Sequence, residues 1–285
     1  MIALHTVVAG IHAKKTIALA NKECLVAGGS FIMPMAKDYG VTIRPIDSEH
    51  AALQQCIQDS PQKISRLILT ASGGPFYQYT QQQLQTVTKS QALQHPTWNM
   101  GNKITIDSAT MMNKALEIIE ASHLFSGTTI DYCIHPQSII HSMVEYIDGS
   151  ILAQLSNPSM HLPIMLAISD KRLDTNTKKL TQRLNFETLQ KLTFETKNES
   201  VFPAPQLAQQ ILTSQQSKPS LTPCIFNTAN EVAVQLFLQD KIAFTDIVDI
   251  VQKAINTIDG NATPTMDSVF ECDKQVRQKI LSQYA

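Results

Sequence analysis

The chain has 285 residues, enough for one large domain or two modest ones with a substantial core. Its formal charge of −1 gives no electrostatic case for a nucleic-acid partner or an anionic membrane surface, and no apolar run is long enough to span a bilayer. The five cysteines, at 24, 56, 133, 224 and 272, are far apart and form no CxxC pair, which argues for reduced thiols in a cytoplasmic setting and against a disulfide frame or zinc site.

Residues 2–13 read as a helix, and they lack the basic leader of a signal peptide. Residues 15–20 form a short apolar strand ending in Asn21-Lys22-Glu23. Residues 30–38 read as a helix stopped by Gly40. A second strand, 41–46, ends in Asp47-Ser48-Glu49. Two strand–helix alternations point to a parallel α/β sheet, whose strand ends are where ligands bind. A third strand, 66–70, runs into Ala71-Ser72-Gly73-Gly74-Pro75. Residues 81–94 are Gln-rich and read as a helix. The stretch 95–103, HPTWNMGNK, holds the only Trp of the chain and reads as a mobile loop.

Residues 107–125 read as one uninterrupted helix with Asp107 and Ser108 as N-cap residues. At about 100° per residue, Met111, Met112, Ala115, Leu116, Ile118, Ile119 and Phe125 cover one broad face, and Thr110, Asn113, Lys114 and Glu117 fall on the other. Strands follow at 129–134 and 139–146, then a hairpin signal at Asp148-Gly149 and a returning strand at 151–155, so this second sheet is at least partly antiparallel. Residues 170–200 are polar and read as a linker. Helical spacing then appears at 204–212, at 227–239, after a capping Thr245, and at 267–282, as in a small bundle. The fold class is α/β.

Asp47 and Glu49 point the same way if the chain is extended between them. Adjacent carboxylates repel unless a cation or proton lies between them. With Glu117 they make three oxygen donors and no thiol, a set that suits Mg²⁺ or Mn²⁺; the alternative is an ordinary acidic surface pair. The polar face of the 107–125 helix admits two readings, an anion-and-metal site at a helix start or a solvated face with common i,i+4 pairing. Ser72-Gly73-Gly74 lets a ligand approach the backbone closely, or is a plain loop. His95 and His135 each precede Pro and His141 lies on a strand, where a single histidine is commonly structural. Trp98 is either a lid or an anchor for its own loop.

Taken in order, these segments resemble one family. N-K-E at 21–23, D-S-E at 47–49, L-T-A-S-G-G-P-F at 69–76, H-P-T-W-N-M-G at 95–101, D-S-A-T-M-M-N-K-A-L-E at 107–117, I-H-P-Q-S-I-I-H-S-M-V at 134–144 and N-T-A-N-E-V-A-V at 227–234 are similar to 1-deoxy-D-xylulose 5-phosphate reductoisomerase. The resemblance is dense from about residue 16 to 165 and looser beyond.

It implies conversion of 1-deoxy-D-xylulose 5-phosphate to 2-C-methyl-D-erythritol 4-phosphate in the non-mevalonate isoprenoid route, with NADPH and a divalent cation, Mg²⁺ or Mn²⁺. By the same resemblance Asp47, Glu49 and Glu117 hold the metal. Ser72, Ser108, Asn113 and Lys114 bind the phosphate end with His95 nearby, and Lys22 and Ser48, with Glu49 and Glu117, contact the reacting end. Asn21, Glu23 and Gly101 contact the cofactor, Met160 lies near the nicotinamide, and Trp98 is the lid. A phosphosugar ligand, a homodimer and a cytoplasmic location follow as implications. The family opens with a glycine-rich dinucleotide turn, whereas the ten glycines here give no GxGxxG. Residues 1–46 are therefore expected to be the remnant of a Rossmann-like NADPH domain. The expected parts that follow are a catalytic domain at 47–169, a linker at 170–200 and a helical domain at 201–285. Two other readings remain: a metal-dependent sugar-phosphate lyase or isomerase without redox chemistry, and a non-catalytic remnant that binds phosphosugar or associates with a full-length subunit.

Overall fold

The computed structural model describes residues 3–57, 63–169, 181–215 and 218–284. The chain opens with α1 (Ala3–His12), β1 (Ile17–Leu19), α2 (Glu23–Asp38), β2 (Ile43–Pro45) and α3 (Ser48–Ile57). β1 and β2 pair in parallel, Ile17 opposite Ile43, as the strand–helix alternation predicts. α2 begins a full turn and more before the expected residue 30 and runs through Gly28, Gly29 and Pro34. Glycine weakens a helix by its backbone entropy. Here Gly29 is kept because a Cβ on it would lie 2.3 Å from the ring of His123. Close crossing of two helices overrides local propensity.

β3 (Ile64–Ala71), β4 (Thr129–Ile134), β5 (Ile140–Tyr146) and β6 (Ile151–Leu155) make a second sheet in the order β4-β3-β5-β6. β3 and β4 run parallel, and β5 and β6 are antiparallel to their neighbours. The sheet is therefore mixed, and the turn at Asp148-Gly149 closes its hairpin with Gly149 at φ +84. Between β3 and β4 lie α4 (Gln81–Leu84), α5 (Lys89–Ala92), α6 (Asn102–Ala109) and α7 (Met112–Leu124). The Gln-rich stretch is two single-turn helices rather than one, each closed by a capping box, Thr80 with Gln83 and Thr88 with Gln91.

The expected single helix over 107–125 is two. α6 ends at Ala109, and α7 restarts after Met111, whose φ of +62 breaks the ladder. Asp107 and Ser108 thus sit in the last turn of α6, not at an N-cap. The Asp107 carboxylate instead takes Lys103 and the amide of Asn230 at 2.8 Å each. The apolar face behaves as predicted: Met112, Ala115, Leu116, Ile118 and Ile119 have no exposed surface. Burying each Leu or Ile contributes about 1.5–3 kcal/mol. α7 packs against α2, α10, β3 and β4, which places it at the centre of the molecule.

Met160 precedes α8 (His161–Ile168), followed by the short α9 (Phe186–Leu189). Residues 170–180 of the expected linker lie outside the described residues. Residues 191–199 run along the end of β4: Glu195 bridges Ile134, and Lys197 reaches Asp131. The C-terminal helices are α10 (Ala204–Gln215), α11 (Thr222–Leu238), α12 (Asp246–Thr257) and α13 (Met266–Leu281). α11 starts five residues before the expected 227, with Pro223 in its first turn. Thr245 occupies the N-cap of α12 without a side-chain cap bond, and Asp246 instead accepts from the Ala243 amide at 2.8 Å. α11 packs on α2, α6 and α7 as well as on α12 and α13, so the bundle backs the site described next. All five cysteines are free.

Candidate active site

Asp47 closes the segment after β2, and Glu49 lies in the first turn of α3. The backbone between them is not extended, yet their carboxylates still converge, because the turn into the helix brings both toward α7. Glu117 projects from the middle of α7 to meet them. One oxygen from each of Asp47, Glu49 and Glu117 lies within 4.8 Å of the other two.

Two lysines interleave with these acids. Lys22, just before α2, contacts Asp47 and stands 3.0 Å from Glu117 and 2.8 Å from the Asn113 amide oxygen. Lys114 contacts Glu117 and stands 2.8 Å from Glu49. The Asn113 amide donates to Glu117, and Ser48 donates to Glu49. Lys22, Lys114 and Glu117 are all buried. The face of α7 that a solvated-helix reading would expose is therefore internal, and buried charges of this kind persist only when paired.

The ionisations follow. Burial and the Glu117 charge push the Glu49 carboxyl up to about 8. Burial works the same way on Asp47 but is outweighed by Lys22, which holds it below the usual carboxylate range. Burial opposes the charged forms of Lys22 and Lys114, yet the surrounding carboxylates hold both above the ordinary lysine range. Three carboxylates without a thiol are a donor set for a hard divalent cation.

The anion end lies across the same cavity, whose volume is about 170 Å³. His95 Nδ1 accepts the backbone N–H groups of Thr97 and Trp98 at 3.1 and 2.9 Å. This leaves the proton on Nε2, which lies 2.9 Å from Ser72 Oγ and 3.1 Å from Ser108 Oγ. With the ring donating, both hydroxyl hydrogens can turn to a ligand. Burial lowers the His95 pKa, in keeping with a neutral ring. Gly74 makes this arrangement possible: its φ is +67, and a Cβ would lie 2.7 Å from the Ser108 carbonyl oxygen. Trp98 and His141 both line the cavity, their rings edge to face at 6.2 Å.

Asn21 donates to Glu23 at 2.7 Å, and Lys103 reaches the other Glu23 oxygen at 2.8 Å. Burial raises the Glu23 pKa, but the Lys103 charge overrides it and holds the carboxyl low. Gly101 is the N-cap residue of α6, and Met160 lines the cavity beside α8. Every residue expected around metal and substrate thus lines one cavity, with Asn21, Glu23 and Gly101 beside it. The sequence reading missed His50 and Glu120. His50 Nε2 donates to the Glu117 carbonyl oxygen at 3.0 Å, and Nδ1 stands 3.4 Å from Glu120. Their signal was an offset of three from Asp47 and from Glu117, visible once both segments are helical.

A 1-deoxy-D-xylulose 5-phosphate reductoisomerase of Clostridium perfringens is 46% identical to this chain, over 100% of the chain and 73% of that protein. The chain belongs to the 1-deoxy-D-xylulose 5-phosphate reductoisomerase family. The reductoisomerase of Endomicrobium trichonymphae is 48% identical over 97% of the chain and 70% of its own length. The profile of the reductoisomerase C-terminal domain matches residues 43–125, that of the DXP reductoisomerase C-terminal domain matches 155–279, and the reductoisomerase profile matches 1–29. The fold is that of the solved reductoisomerases. The Zymomonas mobilis enzyme in complex with NADPH superposes with a TM-score of 0.87 at 41% identity, over 99% of this chain and 72% of that one. A DOX-P reductoisomerase in complex with NADPH, fosmidomycin and magnesium gives 0.88 at 38% identity, with the same coverage.

Proposed function

We propose that this chain provides the metal- and phosphosugar-binding machinery of a reductoisomerase acting on 1-deoxy-D-xylulose 5-phosphate. The observation that carries the reading is one cavity with a buried tricarboxylate at one end and a hydroxyl–imidazole anion pocket at the other. Asp47, Glu49 and Glu117 are the cation ligands. Mg²⁺ or Mn²⁺ there supplies Lewis acidity toward the sugar carbonyl and a neighbouring hydroxyl, and NADPH supplies the hydride. Ser72 and Ser108 turn their hydroxyls to the phosphate while the neutral His95 holds them. Asn113 and Lys114, which here pair with Lys22, Glu117 and Glu49, would turn to that end once a cation takes the carboxylates. Lys22 and Ser48 face the reacting carbons, where the Lys22 ammonium stabilises developing oxyanion charge. Asn21, Glu23, Gly101 and Met160 form the cofactor side, and Trp98 closes the cavity against water.

The same reading divides the chain at 46/47, 169/170 and 200/201. It also makes the protein a cytoplasmic homodimer. Among the described residues no helix is long and apolar enough to cross a membrane. The edge strand β6 carries exposed Ile151 and Leu152 beside exposed Ile147, an edge fit to pair with a second copy. Light scattering should give twice the chain mass; a monomer at micromolar concentration would sink the dimer alone.

The deciding test is NADPH oxidation at 340 nm on addition of substrate and Mg²⁺ or Mn²⁺, with the methylerythritol product followed in parallel. Oxidation matched by product supports the reductoisomerase. Substrate loss without NADPH loss would replace it with a non-redox lyase or isomerase. Phosphosugar binding with neither would leave a binding remnant.

A further inference from the structure

The cation site draws its oxygens from two places, the β2–α3 junction and the middle of α7. The spacing of these elements decides whether three carboxylates can share one ion. Lys22 and Lys114 bridge them, but through the same three carboxylates that a cation must share. One link avoids that conflict. His50, in the first turn of α3, donates Nε2–H to the backbone carbonyl of Glu117 at 3.0 Å. Its Nδ1 stands 3.4 Å from Glu120 Oε2, one turn further along α7, and 3.9 Å from Asp47 Oδ1. The ring has no exposed surface and lies nearly parallel to Phe125, 12° apart.

His50 Nδ1 and Glu120 Oε2 are buried, stand 3.4 Å apart, and neither has a hydrogen-bond partner. A single hydrogen between them satisfies both, and leaving either unpaired is costly. Without Glu120 the imidazole keeps one anchor and can swing about it. Asp47 and the Glu117 backbone would then lose their fixed separation.

We propose that Glu120, acting through His50, is a positioning residue for the cation site: it locks the imidazole that spaces Asp47 from Glu117. Glu120 itself is not a ligand. The inference rests on the metal site proposed above, and the test separates the two. Mn²⁺ binding to the whole chain is titrated by electron paramagnetic resonance, with inorganic phosphate affinity measured alongside. Glu120→Gln keeps length and can donate to Nδ1, so its Mn²⁺ affinity should stay within about threefold of wild type. Glu120→Asp withdraws the partner by one methylene and Glu120→Leu removes it, so both should weaken Mn²⁺ by about 10-fold or more, the usual cost of losing an outer partner. Phosphate affinity should hold in all three, since Ser72, His95 and Ser108 do not touch Glu120. Wild-type Mn²⁺ affinity in Glu120→Asp overturns the proposal, and that variant decides alone if Glu120→Leu fails to fold. So does a second Mn²⁺ per chain that is lost in Glu120→Leu, because the Asp47–His50–Glu120 atoms also lie within 4.8 Å of one another. A wild-type chain that binds no Mn²⁺ overturns this inference and the metal site together.

Discussion

At Glu117, a carboxylate with no exposed surface accepts from two ammonium groups and an amide at once. No single residue is more committed to charge balance in the cavity. Glu117→Gln keeps the volume but removes the charge that a cation would meet. Outer partners of a metal site cost 10–100-fold when lost, so a ligand should cost at least about 100-fold in Mn²⁺ affinity, read by calorimetry. Unchanged affinity would take Glu117 out of the ligand set. The acids themselves were legible, because D-S-E and the i+3 step from Lys114 to Glu117 are visible in the chain. The partners were not. Lys22, distant by 95 residues, meets Glu117 only because α2 crosses α7. Likewise the Asp107 carboxylate, which local rules assign to an N-cap, is taken by Asn230 from a helix 123 residues away.

That crossing is set by one small residue in α2. Gly29 admits the His123 ring where a Cβ would be 2.3 Å away. Alanine would gain about 1 kcal/mol in helix propensity, but overpacking costs about 1–3 kcal/mol and the ring has little room to retreat. Gly29→Ala should therefore lower stability in urea denaturation by up to about 2 kcal/mol net. Adding His123→Ala should recover part of that loss, because the two changes share one contact. A fully additive double variant would show that the crossing has slack. Element types were largely readable from periodicity, whereas breaks and starts were not. Nothing in residues 107–125 marks Met111 as the left-handed residue between α6 and α7, nor shows that Ser108 packs closely on Gly74 from the loop after β3. The true start of α2 is hidden in the same way, because Gly28-Gly29 lowers helix propensity and the His123 ring that fits against Gly29 comes from a distant helix.

Across the molecule, buried titratable groups make stability depend on pH in opposite senses. Burial pulls the His123 pKa down to about 4. The unfolded chain then takes up its proton near pH 6.5 and the folded chain only near 4. Stability from this residue is complete above pH 6.5 and is lost as pH falls toward 4, by up to about 3 kcal/mol. Glu49 and Glu120, pushed up by burial to about 8 and about 7, act the other way, favouring the folded state less as pH rises from the carboxylate range. Denaturation of wild type and His123→Gln between pH 4 and 7 isolates the histidine: the variant should lack the acid-side loss. Identical profiles would mean the ring is solvated in the folded state. At this scale the family was legible from motif order alone. The backing of the site by the bundle was not, because α11 reads as a plain amphipathic helix until it is seen against α2, α6 and α7.

The sole indole of the protein is wired to the anion pocket. Trp98 offers its backbone N–H to the same imidazole whose other nitrogen holds Ser72 and Ser108. Any phosphate that rearranges those hydroxyls pulls on the ring, and the ring pulls on the tryptophan. Intrinsic fluorescence should therefore shift in wavelength on titration with inorganic phosphate, without a label, and stay flat in Ser72→Ala/Ser108→Ala. A chain with one indole at its own doorway carries a built-in optical gauge of occupancy.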